Sequence, residues 1–247
     1  MRFPHAFDVQ NEDGKFPMVF LCEHARNTIP ADLYGLGVSK EDLQTHIAWD
    51  IGIENVTRRL SDLLDVPSVY CLYSRLIIDC NRSRQHPDLV RVKSDGIHIP
   101  GNDDLTDKEY QLRVQGIFDP YHNAAARLIE EVCKRVEKPV VLGMHSCTPK
   151  LHEGEWRPWE IGLSTYDNEE FMGRFAALLR DEGFNVGIHE PYDMRKLAGA
   201  SLYGHAHERG LPHVLIEIRQ DLIGDDAGAQ KWAQLLADML PKLVKLP

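Results

Sequence analysis

The stretch Pro139-Val140-Val141-Leu142-Gly143-Met144-His145-Ser146-Cys147 decides the fold. No polar side chain interrupts it from Val140 to Met144, so a strand here presents apolar surface on both faces. Strands of that kind belong to parallel sheets covered by helices on both sides. A histidine follows at once. The carboxyl end of a parallel strand is where such sheets place their ligand-binding loops, so His145 stands at a position suited to chemistry. The arrangement recurs earlier in the chain, where apolar Met18-Val19-Phe20-Leu21-Cys22 runs into Glu23-His24-Ala25-Arg26-Asn27.

Working outward, residues 68–72, 76–80, 161–165, 185–188 and 213–218 read as further buried strands. Helical spacing appears between them, at 53–64 (Val56, Leu60, Leu63, Leu64), 168–182 (Phe171, Phe175, Leu178, Leu179) and 227–240 (Trp232, Leu235, Leu236, Met239). Residues 107–136 have the length and charge mixture of one long helix or two shorter ones. Strands alternating with helices predict an α/β fold with a mainly parallel central sheet. Residues 82–104 and 148–160 are irregular and rich in Pro, Gly, His and charge, and read as active-site loops. With no internal repeat and no shift of composition, the expectation is a single domain over 1–247.

Composition narrows the function. A hydrophobic content of 43% with 27% charged residues is that of an ordinary globular protein. No run of about 18 apolar residues appears, and Met1 to Asp8 lack the apolar core of a signal peptide. A cytoplasmic protein with no membrane partner is expected. A formal net charge of −10 argues against nucleic-acid or anionic-membrane binding, yet leaves room for a small anionic substrate held by a local pair of arginines. Five cysteines without a Cys-x-x-Cys pair predict neither a disulfide framework nor a thiolate zinc cage. Nothing in the composition assigns an oligomeric state.

Several residues could carry chemistry. Two histidines, a carboxylate and a water make the usual catalytic zinc site, and His-plus-carboxylate ligation favours zinc over magnesium. His24 and His145 are the two histidines. Asp50, in His46-Ile47-Ala48-Trp49-Asp50-Ile51-Gly52, is the expected third ligand, with Glu23 and His46 as rivals and a helix N-cap as its alternative role. Cys147 offers a competing reading as a thiol nucleophile. In Tyr73-Ser74-Arg75-Leu76-Ile77-Ile78-Asp79-Cys80-Asn81-Arg82, Asn81 and Arg82 supply an amide and a charged fork suited to a carboxylate. Arg75 can stabilise a carbonyl oxygen that gains negative charge, or these arginines form strand-end ion pairs. Alternation puts Glu217 and Arg219 on one face of an apolar strand. Glu217 is then either one half of a buried ion pair, with Arg219 or Arg75, or a general acid/base. His122 is a helix-cap residue or a substrate contact, His205 and His207 lie in a polar stretch that could rim a site, and the other histidines, His213 included, read as surface or packing residues.

Taken in order, Cys22-Glu23-His24-Ala25, His46 to Gly52, Ser74-Arg75-Leu76 with Asp79-Cys80-Asn81-Arg82, Ile99-Pro100-Gly101-Asn102, Pro120-Tyr121-His122 and Ile216-Glu217-Ile218-Arg219 resemble the N-formylglutamate amidohydrolase family. The resemblance spans most of the chain. It implies a three-layer α/β/α sandwich of the zinc-exopeptidase type, related to zinc carboxypeptidases and aspartoacylase-type deacylases. It also implies hydrolysis of N-formyl-L-glutamate, with Zn2+ or another divalent metal as cofactor. His24 and His145 would be metal ligands, Arg75 the oxyanion-stabilising arginine, and Glu217 the general acid/base. Asn81 and Arg82 would grip a substrate carboxylate, with Arg219 and His122 as further substrate contacts. Two departures stand out. A His-x-x-Glu ligand pair would need glutamate at position 27, where the chain has Asn27, so the third ligand comes from elsewhere. Cys-Glu-His-Ala stands where better-known members read more like Pro-His-Ser-Gly, which marks a divergent branch. The rival expectations are a deacylase or carboxypeptidase for another N-acyl amino acid or short peptide, and a non-catalytic module that binds small carboxylates.

Overall fold

The computed structural model describes residues 3–196 and 201–244. In chain order its strands are β1 (Phe7–Gln10), β2 (Met18–Cys22), β3 (Ser68–Cys71), β4 (Lys93–Ser94), β5 (Ile97–His98), β6 (Val140–Cys147), β7 (Ile161–Ser164), β8 (Val186–Ile188) and β9 (His213–Arg219). Seven of them form one sheet in the order β1-β3-β2-β6-β9-β7-β8. The central four, β3, β2, β6 and β9, run parallel; β1 joins one edge antiparallel, and the parallel pair β7-β8 joins the other edge antiparallel to β9. The fold is therefore α/β with a mainly parallel sheet, as the apolar runs predict.

The period-2 alternation of β-strands divides the core into two layers. Met18, Phe20, Leu142, Met144, Val214 and Ile216 pack with α1 (Ile53–Leu64), α4 (Glu169–Asp181) and α6 (Asp226–Met239). Val19, Leu21, Val141 and Leu215 face the opposite way, toward α3 (Asp119–Cys133) and α5 (Ser201–His205). Each such side chain, once fully buried, contributes roughly 1.5–3 kcal/mol relative to exposure. The same alternation carries Gly143 and His145 of β6, and Leu215 and Glu217 of β9, onto the α3/α5 side. Gly143 must be small there, because a Cβ would stand 3.0 Å from Leu202 Cδ1 and 3.1 Å from Leu215 Cδ1.

The helix expected over 107–136 is α2 (Asp107–Arg113) and α3 joined through a π-helical turn, Val114–Phe118, with Pro120 at the start of α3. A capping box between Thr106 and Glu109 opens α2. One expected strand is absent: residues 76–80 form turns and coil. Side chains take the backbone groups that a strand would pair. Ser74 Oγ accepts from Leu76 N at 3.2 Å, Asn102 Nδ2 donates to Leu76 O at 2.8 Å, and buried Arg113 donates to Ile77 O at 2.9 Å. The motif Ile99-Pro100-Gly101-Asn102 gains a structural role as the clip on this turn, since Asn102 Nδ2 also donates to Arg91 O at 2.7 Å.

Candidate active site

The connection from β2 to α1 and the carboxyl end of β6 converge on one cluster. His24 follows β2, His145 lies near the carboxyl end of β6, and Asp50 reaches in from the segment that leads to α1. Gly52 is the residue that permits this last approach. Its φ is +81°, and a Cβ would lie 2.1 Å from Ile223 O; only glycine turns the chain there at no steric cost. Asp50 N donates to His24 O at 3.0 Å, and Ser146 N donates to Asp50 Oδ2 at 3.2 Å. The cap position of α1 is Gly52, and no side chain caps the helix, so Asp50 is not an N-cap.

His24 Nδ1 and His145 Nδ1 lie 3.4 and 2.9 Å from the same oxygen, Asp50 Oδ2. Each imidazole presents its other nitrogen to a second carboxylate: His24 Nε2 is 2.7 Å from Asp79 Oδ1, and His145 Nε2 is 3.1 Å from Glu23 Oε2. All of these side chains are buried. The donor atoms of His24, Asp50 and His145 lie within 4.8 Å of one another. Ligands at the ~2.0–2.1 Å of zinc bonds sit about 3.3 Å apart on a tetrahedron, so the observed separations fit such a site. The outer carboxylates fit as well, since metal-binding histidines usually donate their free N–H to one.

Electrostatics hold these acids ionised. Burial works to raise the Asp50 carboxyl, but the charges and hydrogen bonds of His24 and His145 outweigh it and keep it well below the usual carboxylate range. Burial opposes ionisation of Asp79 also, and Arg75 and His24 more than compensate. Glu23 ends at about 2, its burial overcome by the hydrogen bond and charge of His145. Asp79 is the hub of the cluster, with Arg75 Nη2 at 3.0 Å, Arg91 Nη2 at 3.5 Å and Arg82 Nε at 3.8 Å from its Oδ2. Arg75 Nη1 also reaches Asp50 Oδ1 at 3.3 Å.

Glu217 behaves differently. In the β6–β9 register it lies directly opposite His145. Burial pushes its carboxyl up to about 7, against the charge of His145, which lowers it. Its Oε2 is buried without a hydrogen-bond partner, and among the described residues Glu217 makes no ion pair. The ion-pair alternative with Arg219 or Arg75 is thus not formed: Arg219 binds Asp221 at 2.8 Å and Arg75 binds Asp50 and Asp79. Cys147 is nearby, and burial, helped by the charge of Glu217, pushes its thiol up to about 12. A thiol so protonated is a poor nucleophile.

His24, Asp50, Arg75, Asn81, Arg82, His145 and Glu217 together line a cavity of about 350 Å³. Asn81 accepts from Ser201 N at 3.0 Å through Oδ1, which leaves its amide nitrogen on the side of His145, 3.5 Å from Nε2. Among the described residues, two expected substrate contacts do not line this cavity. Arg219 lies at the strand end with Trp156 and Asp221, and His122 Nδ1 pairs with His205 Nε2 at 2.8 Å. The rivals for the third ligand position are also placed: Glu23 behind His145, and His46 at the cavity wall with its Nε2 3.1 Å from Asp95 Oδ2. Asn27 Nδ2 donates to Leu43 O at 2.8 Å, away from the cluster.

The sequence reading gave no role to Asp79, Arg91 or the hairpin β4–β5, which supplies Ser94 and Asp95 to the cavity. The hairpin carried a usable signal. Asp95-Gly96 has φ of 43° and 85°, the left-handed pair that tight two-residue hairpins favour.

With this geometry in hand, comparison with known proteins is decisive. Residues 16–224 match the family model described as N-formylglutamate amidohydrolase. The chain belongs to that family. An N-formylglutamate amidohydrolase from Ralstonia eutropha JMP134 shares the fold, at 19% identity and a TM-score of 0.76 over 97% of each chain. The gene product Atu2144 from Agrobacterium tumefaciens is more similar, with 33% identity and a TM-score of 0.92 over 98% of each chain. Among curated proteins none matches. As a member of an amidohydrolase family the chain is a hydrolase of amide bonds. Among the described residues no helix is long and apolar enough to cross a membrane.

Proposed function

We propose that this chain, read as one domain over 1–247, is a metal-dependent amidohydrolase. Its substrate in this proposal is N-formyl-L-glutamate, split with water into formate and L-glutamate. The observation that carries it is Glu217, a buried carboxylate with an unpartnered oxygen, set opposite His145 and in the same cavity as Arg82.

His24, Asp50 and His145 would hold the divalent cation, zinc by the chemistry of the donors, with Asp79 and Glu23 orienting the two imidazoles. When bound, such a cation supplies Lewis-acid polarisation of a carbonyl and eases the deprotonation of water. Glu217, raised to about 7, takes a proton from the attacking water and returns it to the departing nitrogen as the C–N bond breaks. A base poised near the working pH is the efficient one. Arg75 stabilises the charge that grows on the carbonyl oxygen. Losing one such donor typically costs about 100- to 1,000-fold in rate. Arg82, with the Asn81 amide, fixes a carboxylate of the substrate and so places the amide bond.

The test is a substrate panel. Zinc-reconstituted protein offered N-formyl, N-acetyl and N-succinyl amino acids should act fastest on N-formyl-L-glutamate. A folded, metal-loaded sample that releases no formate overturns the substrate assignment.

A further inference from the structure

A second set of donors lies at the other end of β9. Asp167 sits in the turn between β7 and α4, His207 in the 3-10 turn (His207–Arg209) after α5, and His213 is the first residue of β9. At ~3.3 Å of rise per residue, His213 is roughly 13 Å along the strand from Glu217. His207 Nδ1 is 3.2 Å from Asp167 Oδ2, and His213 Nε2 is 3.8 Å from Asp167 Oδ1. The three donors lie within 4.8 Å of one another. These spacings bracket the edge of about 3.3 Å expected between ligands of a tetrahedral zinc-type ion.

Two details aim the nitrogens inward. His213 is fully buried and its Nδ1 donates to Leu211 O at 2.9 Å, which leaves Nε2 as the lone-pair nitrogen on the Asp167 side. His207 Nδ1 is buried and makes no hydrogen bond although Asp167 stands 3.2 Å away, so it points past the carboxylate and not at it. In the metal-free chain the His213 Nε2 lone pair accepts a hydrogen bond from Tyr166 N at 3.3 Å, which a bound cation would displace. The ring of Tyr166 lies 5.1 Å from His207 and 5.7 Å from His213, which walls one side, while exposed Asp167 leaves a path to solvent.

We propose that Asp167, His207 and His213 form a second divalent-cation site of the zinc type, distinct from the His24–Asp50–His145 cluster. Two imidazoles and a carboxylate select Zn2+ or Co2+ over Mg2+ and Ca2+. The site ties three separate segments together. One of them follows α5, whose first residue, Ser201, donates its N–H to Asn81, so a cation here braces the backing of the proposed substrate fork.

Tag-free protein, stripped with a chelator and dialysed against Co2+, tests this by metal content and by the visible spectrum of tetrahedral cobalt. Wild type, His24→Ala, His207→Ala and the double variant should hold two, one, one and no equivalents. His207 is half-buried, and circular dichroism checks that its replacement leaves the fold intact. Asp167→Asn should repeat the loss seen in His207→Ala. A wild type with one equivalent that His207→Ala retains, or a second equivalent that survives both His207→Ala and Asp167→Asn, overturns the proposal. If instead only the catalytic cluster fails to bind, wild type and His24→Ala hold one equivalent each and His207→Ala none.

Discussion

A buried carboxylate oxygen with no partner costs stability, by several kcal/mol when the group is charged, and Glu217 is in that condition directly opposite His145 in the sheet. If it moves protons, Glu217→Gln, which keeps the shape and removes the base, should lower kcat by about 100- to 10,000-fold, with metal content unchanged. Arg82 has the complementary signature. Arg82→Ala should raise KM by roughly ten- to 100-fold, as expected when a charge-assisted hydrogen bond worth about 1.5–3 kcal/mol is lost, with a smaller effect on kcat. Cys147→Ser should keep activity within a few-fold, because its thiol is held protonated; a loss as large as that of Glu217→Gln would revive the thiol mechanism. At this scale His24, His145, Asn81, Arg82 and Glu217 stood out because each follows or interrupts an apolar run, where a polar side chain needs a reason. Asp79 was not, because what gives it a role, His24 and three arginines, comes from positions that only the fold assembles.

Elements set how accurately those residues meet. Asp50 is delivered by the turn at Gly52, and Gly52→Ala would force a left-handed conformation costing about 1–2 kcal/mol and drive a Cβ into Ile223 O. The variant should lose at least that much stability in a denaturant titration and bind the cation more weakly, since Asp50 moves with the turn. The strands β2, β6, β7 and β9 and the helices α1, α4 and α6 follow the hydrophobic periodicity of the sequence within a residue or a few. Residues 76–80 show where that signal misleads. An apolar run there is buried, yet Asn102 and Arg113 satisfy its carbonyls, and periodicity alone cannot tell a strand from coil pinned by distant side chains. Edge strand β1 was missed for the opposite reason: Phe7-Asp8-Val9-Gln10 is short and half-buried, and its pairing with β3 is fixed by tertiary contact.

For the whole molecule, a cation that binds only the folded chain stabilises it by mass action, about 2.7 kcal/mol at 100 times its Kd. That corresponds to roughly 5–10 °C in Tm for a chain of this size, and chelation should reverse it. Acid acts through another buried pair. Burial pushes His122 from 6.5 down to about 3 and His205 to about 4, so below pH 6.5 the unfolded chain binds protons that the folded one refuses. Stability should therefore fall between pH 6.5 and 4, and the slope should flatten in His205→Leu; an unchanged slope would show that the pair titrates normally.

The central claim is that His24, Asp50 and His145 converge on one cation. Anomalous diffraction from crystals of zinc-loaded protein tests it most directly. The expected result is a peak about 2.0–2.2 Å from His24 Nδ1, Asp50 Oδ2 and His145 Nδ1, with Asp79 and Glu23 outside the coordination shell. A loaded crystal with no peak there, or a peak bound by Glu23 or His46 in place of Asp50, would contradict it.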